Sequence, residues 1–231
     1  MIDCLNITNA HIFGDAMASQ HRLRHRAFID RQDYQVPSWQ GMEYDQFDTP
    51  AAHYMVWRDQ FGEVRAVARV SPTSKPYMLE NVWPEKVTAM ALPHSSAVWE
   101  GTRFSVDRDL SPRLRQRIVC EIVVGFTEFA QLNGIDAFIG VMPMGIYRSV
   151  FERNGWPVDY IGSPWTQDGI RICAAQLHVN DQITEAVRAK TNIRNSVLNS
   201  TLPVSAPVSA PTSVPAPVHA QPPATVHIQA A

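Results

Sequence analysis

Residues 97–142 read AVWEGTRFSVDRDLSPRLRQRIVCEIVVGFTEFAQLNGIDAFIGVM, and this stretch carries the alternation that sets the fold class. Its opening segment, AVWEGTRFSV, has the β-branched and aromatic content of a strand over 97–106. Ser111 or Asp109 can cap a helix that begins near Pro112. Ile118, Ile122, Phe126, Phe129 and Ala130 then recur at helical spacing, and Asn133-Gly134 supplies a stop. The apolar run over 135–142 is short enough for a buried strand. Strand, long amphipathic helix and buried strand in succession point to helices packed on a central sheet.

Working outward, the run 53–58 alternates as a strand, 59–62 is a turn, and Val64, Ala66, Ala68 and Val70 line one face of a second strand. Arg65 and Arg69 fall on its other face, and the two strands form a hairpin. A first strand is expected within 1–8, helices over 17–29, 77–83 and 144–154, a closing strand over 171–179, and a last helix reaching about 190. The element order gives an α/β class, an α+β sandwich around one sheet. Residues 1–195 have the composition of one packed domain, and 196–231 read as a disordered Pro/Ala/Val/Ser-rich tail, because prolines deny both helix and central strand.

Composition narrows the function. A net charge of −2 gives no electrostatic case for nucleic acid. Cys4, Cys120 and Cys173 are odd in number, far apart and without metal-ligand spacing, as in a protein of a reducing compartment. The histidines show no paired-ligand spacing, so no metal is expected. No run of 18 apolar residues occurs, and the reading is a soluble cytoplasmic protein that binds neither membrane nor nucleic acid.

Two stretches carry the chemistry. Residues 22–48, RLRHRAFIDRQDYQVPSWQGMEYDQFD, join Arg22, Arg24 and Arg26 on a helix to Glu43, Asp45 and Asp48 in a loop. Acids this close repel one another unless solvated or placed around a positive group. In WEGTRF, strict alternation sets Glu100 and Arg103 on opposite faces, and Gly101 is where a bulge or a close backbone approach turns both toward one cavity.

As an ordered set, Arg24, Phe28, Glu43, Asp45, Asp48, Arg69, Glu100 and Arg103 resemble the signature of the LuxI-type autoinducer synthases, the acyl-homoserine lactone synthases of quorum sensing. RLRHRAF, GMEYDQFD, the hairpin ending in Arg69, WEGTRF and RSVFERNGWPVDYIG follow one another in the family's order, over residues from about 20 to 180. The chain departs from the family at Tyr34, where Trp is usual although Trp39 lies nearby, and at Trp83, where Phe is common. The apolar 141–144 segment, where some members taking 3-oxo chains carry Thr, disfavours a 3-oxo acyl group.

The resemblance implies a GNAT-like acyltransferase fold and acyl transfer from a thioester to the amine of S-adenosylmethionine, followed by lactone closure and release of 5'-methylthioadenosine. Both reactants, S-adenosylmethionine and an acyl-carrier-protein or coenzyme A thioester, are substrates, and no cofactor is implied. Glu100 is the first candidate for general base and Glu43 the second. Arg24 and Arg103 suit the substrate carboxylate, and Asp45 and Asp48 orient the nucleophile with Arg69 organising the acids. Phe28, Tyr34, Trp39, Trp83, Thr102, Phe104 and Met142 are the expected substrate-binding wall. Two other readings compete, a GNAT-type N-acetyltransferase and a non-catalytic ligand-binding module. Against the first, 106–117 contains no glycine for a pyrophosphate loop and offers Arg113, Arg115 and Arg117 instead.

Overall fold

A computed structural model describes residues 1–199. The elements are, in chain order, β1 (Ile2–Leu5), α1 (Ala16–Arg24), β2 (Ser38–Trp39), β3 (Met42–Glu43), β4 (His53–Arg58), β5 (Val64–Pro72), α2 (Met78–Val82), β6 (Val98–Val106), α3 (Pro112–Asn133), β7 (Ala137–Pro143), α4 (Met144–Ile146), β8 (Asp159–Tyr160), β9 (Trp165–Gln167), β10 (Ile170–His178) and α5 (Asp181–Thr191). Eight strands form one sheet in the order β1-β4-β5-β6-β7-β10-β8, with β9 also on β10, while β2 and β3 form a separate hairpin. All neighbours in the large sheet are antiparallel except β6 and β7. The expected α/β architecture of one mixed sheet flanked by helices is what the chain forms.

Helix α3 is laid against one face of that sheet. Ser111 Oγ accepts from the Leu114 N–H at 3.3 Å as its N-cap, and Gly134 ends it in the left-handed conformation that glycine adopts at little cost. Ile118, Ile122, Phe126, Phe129 and Ala130 are all buried, and each of the larger side chains contributes about 2 kcal/mol through burial. They meet Ala66, Ala68 and Val70 of β5 and Phe138 of β7. The opposite face carries α1, α2 and the polar residues described below.

Three expectations need correction. The 17–29 helix is real but continues past Arg24 as a π-helical turn over His25–Asp30, and 144–154 breaks into α4, a π-turn and a 3-10 turn before Gly155. The packed domain also runs beyond 195. The Ile2 N–H donates to Val197 O at 2.7 Å and the Asn199 N–H to Ile2 O at 2.9 Å, so 197–199 lie alongside the sheet edge. Glu128 on α3 holds this segment, accepting from the Val197 and Leu198 N–H groups at 3.1 Å and from Arg188 at 2.6 Å. The rest of the expected tail, 200–231, lies outside the described residues.

The strand pair that shapes the site is β6–β7. It is in register only from Val98↔Ala137 to Glu100↔Ile139. At Gly140 a Cβ would lie 2.5 Å from Gly101 O, so glycine at 140 permits a backbone approach that a side chain there would block. Beyond them the strands part, and a narrow apolar cavity of about 20 Å³ opens between Thr102, Phe104, Met142, Tyr147 and Trp156.

Candidate active site

On the face opposite α3, register brings Tyr54 of β4, Arg69 of β5 and Thr102 of β6 into one row. Helix α1 lies over this row and contributes Arg24, and the loop after β3 contributes Asp45 and Asp48. Three guanidiniums and three carboxylates meet here. Arg24 Nε donates to Glu43 Oε2 at 2.5 Å, and its two terminal nitrogens fork onto Asp48 at 2.7 and 2.8 Å. Arg69 forks onto Asp45 at 2.5 and 2.9 Å, reaches Asp48 Oδ1 at 2.9 Å, and donates through Nε to Thr102 Oγ1 at 2.9 Å. Arg103 closes the set, with Nη2 at 3.0 Å from Glu43 and 2.6 Å from Asp45. The Tyr54 hydroxyl donates to Asp48 Oδ1 at 2.7 Å.

The acids are therefore neither solvated nor gathered around an outside cation, since three arginines balance them. Burial pushes Asp48 and Asp45 up, but Arg24 and Arg69 on Asp48, and Arg69 and Arg103 on Asp45, outweigh it and hold both carboxyls below their ordinary range. Burial acts on Arg24 in the opposite sense and is likewise outweighed by Asp48 and Glu43. Arg24 is 0% exposed with all three nitrogens engaged, so it faces the acids and not a ligand. Arg103 is the most open of the three arginines, its side chain 14% exposed against 0% and 1%.

The bulge in WEGTRF exists, but it begins two residues after Gly101, at Arg103. Val67 pairs Ser105 and Arg69 pairs Thr102, leaving Arg103 and Phe104 together opposite Ala68. Arg103 takes φ +54, a conformation disfavoured for a side chain of this size. The extra residue lets Thr102 and Arg103 both face the acids while Phe104 turns to the cavity on the other side. Gly101 instead lies where its carbonyl oxygen meets Gly140.

Glu100 stands beside the cluster, not inside it. Its Oε2 accepts the Met78 N–H at 2.8 Å and its Oε1 the Leu79 N–H at 2.6 Å, so it caps α2 from across the sheet. Burial raises its carboxyl to about 7, against the pull of those two N–H bonds and of Arg69. Met78, whose backbone it holds, places its sulfur 3.7 Å from Arg103 Nη1.

The expected aromatic wall divides. Phe28 lies under the Arg103 guanidinium at 5.5 Å and stacks on Tyr34 at 6.1 Å, so these two do meet the cluster. Phe104 and Met142 line the cavity. Trp83 packs on Trp165 at 6.0 Å in a separate apolar cluster with Val98, Ile139 and Val141. Trp39, expected near Tyr34 in the wall, is 65% exposed at the tip of the β2–β3 hairpin. Sequence reasoning missed Tyr54, Met78 and His21. Tyr54 was available from the hairpin register that sets it opposite Arg69; the other two carried no comparable signal.

The same order of motifs appears in known proteins. The autoinducer synthase family model matches residues 11–187. An acyl-homoserine-lactone synthase of Aeromonas hydrophila is 32% identical over 172 residues, which cover 72% of this chain and 82% of that protein. BjaI, a CoA-dependent acyl-homoserine lactone synthase solved with SAM and isopentyl-CoA, superposes with a TM-score of 0.78 at 23% identity, over 86% of this chain and 92% of that one. An acyl-CoA N-acyltransferase from Pseudomonas aeruginosa shares the fold at a TM-score of 0.51 and 13% identity, over 76% and 97% of the two chains, in keeping with a GNAT-like acyltransferase architecture. With a family match over most of its length and motifs that converge on one buried cluster, the chain belongs to the autoinducer synthase family and is an acyltransferase, an acyl-homoserine lactone synthase.

Proposed function

We propose that this chain transfers the acyl group of a thioester to the α-amino nitrogen of S-adenosylmethionine and then closes the lactone. In the first step an N–C(acyl) bond forms and the C–S thioester bond breaks, the thiol leaving with a proton. In the second, a carboxylate oxygen of the acylated substrate attacks the carbon beside the sulfonium, the C–S bond breaks, and 5'-methylthioadenosine leaves. The observation that carries this reading is the raised carboxyl of Glu100 at the last paired position of β6–β7, next in the chain to Gly101 at the cavity and within electrostatic reach of Arg69 and Asp45.

The roles follow from what each group is free to do. Attack on the thioester requires the substrate ammonium to lose a proton, and a carboxyl raised to about 7 is matched to that task near neutrality. Each Glu100 oxygen accepts one N–H and keeps a lone pair. Glu43 is the weaker candidate, because Arg24 and Arg103 clamp both its oxygens. Arg103, the most open of the three arginines, binds the substrate carboxylate through Nη1, which faces the Met78 sulfur and not an acid. Arg24 and Arg69 hold Glu43, Asp45 and Asp48 in place so that the electrostatic environment is set before substrate arrives. Phe28 and Tyr34 bound the same side of the site, and the cavity past Thr102, Phe104 and Met142 takes the acyl chain.

The donor is a carrier-protein or coenzyme A thioester; the relative BjaI, a CoA-dependent enzyme, was solved with SAM and isopentyl-CoA. A cytoplasmic location fits such substrates and the three free cysteines. The test is stoichiometry: purified protein given S-adenosylmethionine and an acyl thioester should release thiol and methylthioadenosine in equal amounts. Thiol release without methylthioadenosine would mark an ordinary N-acyltransferase, and consumption of neither would mark a binding module.

A further inference from the structure

We infer that His21 is a positioning residue for the reaction assigned above, acting on Glu43 through its main chain. His21 sits on α1 three residues before Arg24, which puts both side chains on one face of the helix. Its Nδ1 lies 2.8 Å from Glu43 O. A carbonyl oxygen can only accept, so Nδ1 carries the proton and the ring is the donor. The ring is fixed from two sides, tilted on Tyr44 at 4.1 Å and edge-on to Tyr54 at 6.1 Å, and the residue is buried.

Glu43 is thus gripped twice by the same helix, its backbone by His21 and its carboxylate by Arg24. The second grip fixes where Oε2 lies, and the first fixes the main chain from which the side chain hangs. Together they aim Oε1, which receives Arg103 Nε at 3.1 Å and Nη2 at 3.0 Å. Arg103 sits at a bulge in a disfavoured backbone conformation, so its orientation depends on such outside contacts. Losing the His21 bond frees the 42–43 backbone and with it the reference point for Arg103. The acyl cavity is lined by none of these residues.

The consequence is selective. In steady-state assays of the full chain, His21→Phe, which keeps an aromatic ring and removes the donor, should raise KM for S-adenosylmethionine about tenfold. KM for the acyl thioester should stay within about twofold. His21→Asn places an amide N–H where Nδ1 stood and should recover most of the loss; His21→Gln, whose N–H corresponds to Nε2, should not. A role in stability alone would lower the melting temperature without this split between substrates, and would not distinguish Asn from Gln. The inference is overturned if His21→Phe leaves the KM for S-adenosylmethionine unchanged, if both KM values rise together, or if Asn and Gln behave alike. Should His21→Phe not fold, the Asn and Gln pair decides on the same criteria. Wild-type turnover run in parallel separates this failure from failure of the assigned reaction, since a wild type that makes no lactone rejects the reaction itself.

Discussion

Replacing Glu100 by Gln tests the base and the electrostatics of the site together. The carboxyl is raised from its ordinary 4.5 to about 7 by burial. At about 1.4 kcal/mol per tenfold in proton affinity, the native state favours the protonated form by about 3 kcal/mol. Between pH 4.5 and 7 the folded chain keeps this proton and the unfolded chain has lost it. The contribution is therefore whole below pH 4.5 and lost as pH rises through 7. Gln does not titrate, and its shape resembles the protonated acid, with one oxygen for one of the Met78 and Leu79 N–H groups and a poor partner for the other. Denaturant unfolding at pH 5 and pH 8 should show the variant gaining on the wild type by about 3 kcal/mol over that interval. Turnover of lactone should fall by about two to four orders of magnitude, and the rise of rate with pH toward 7 should disappear. If Glu100→Gln turns over within tenfold of wild type and keeps the same pH rise, the base lies elsewhere. If the two stability curves run parallel, the carboxyl is not raised and the reasoning from burial fails.

Other perturbations reach the remaining parts. Arg69→Met leaves Asp45 and Asp48 without their shared guanidinium and should destabilise the fold by about 3–5 kcal/mol in urea, because an unpaired buried charge costs more than the pair contributes. Asp45→Asn should weaken S-adenosylmethionine binding by calorimetry, since Arg103 loses one of its two acid partners; an unchanged Kd would remove Asp45 from that role. Gly140→Ala should lower both melting temperature and turnover, as its methyl would press on Gly101 O where β6 and β7 part; a variant with normal values would show that the approach is not required. Lowering pH should erode stability as Asp45 and Asp48, both held below their ordinary 3.8, take up protons, and Asp48→Asn should flatten that acid limb.

The fold was legible where local signals and packing agree. Helix α3 carried its cap, its apolar stripe and its glycine stop in 24 consecutive residues, 111–134, and formed over that span. The β4–β5 hairpin and the inward face of Arg69 came from simple alternation. The prolines from Pro203 onward draw residues 196–199 into the expected tail, yet Val197 and Leu198 are apolar and find the sheet edge and Glu128. In the site, the identity of the charged residues was readable, but their pairing was not. Whether an acid faces solvent, a ligand or an arginine depends on α1, β5 and β6 converging, which no local pattern encodes. The bulge at Arg103 was hidden for a different reason: an arginine at φ +54 is held by Glu43, Asp45 and Phe28, and nothing in its own type favours that conformation. Glu100 likewise finds its partners at Met78 and Leu79, more than twenty residues upstream, through the sheet.

The most direct test of the central claim is mass spectrometry of an organic extract from a heterologous host expressing this chain, scanned for the protonated homoserine lactone fragment. A new acyl-homoserine lactone, strongly reduced in the host carrying Glu100→Gln, is the predicted result, and its mass identifies the acyl group transferred. No lactone from a folded, well-expressed protein in a host supplied with varied acyl precursors would contradict the account.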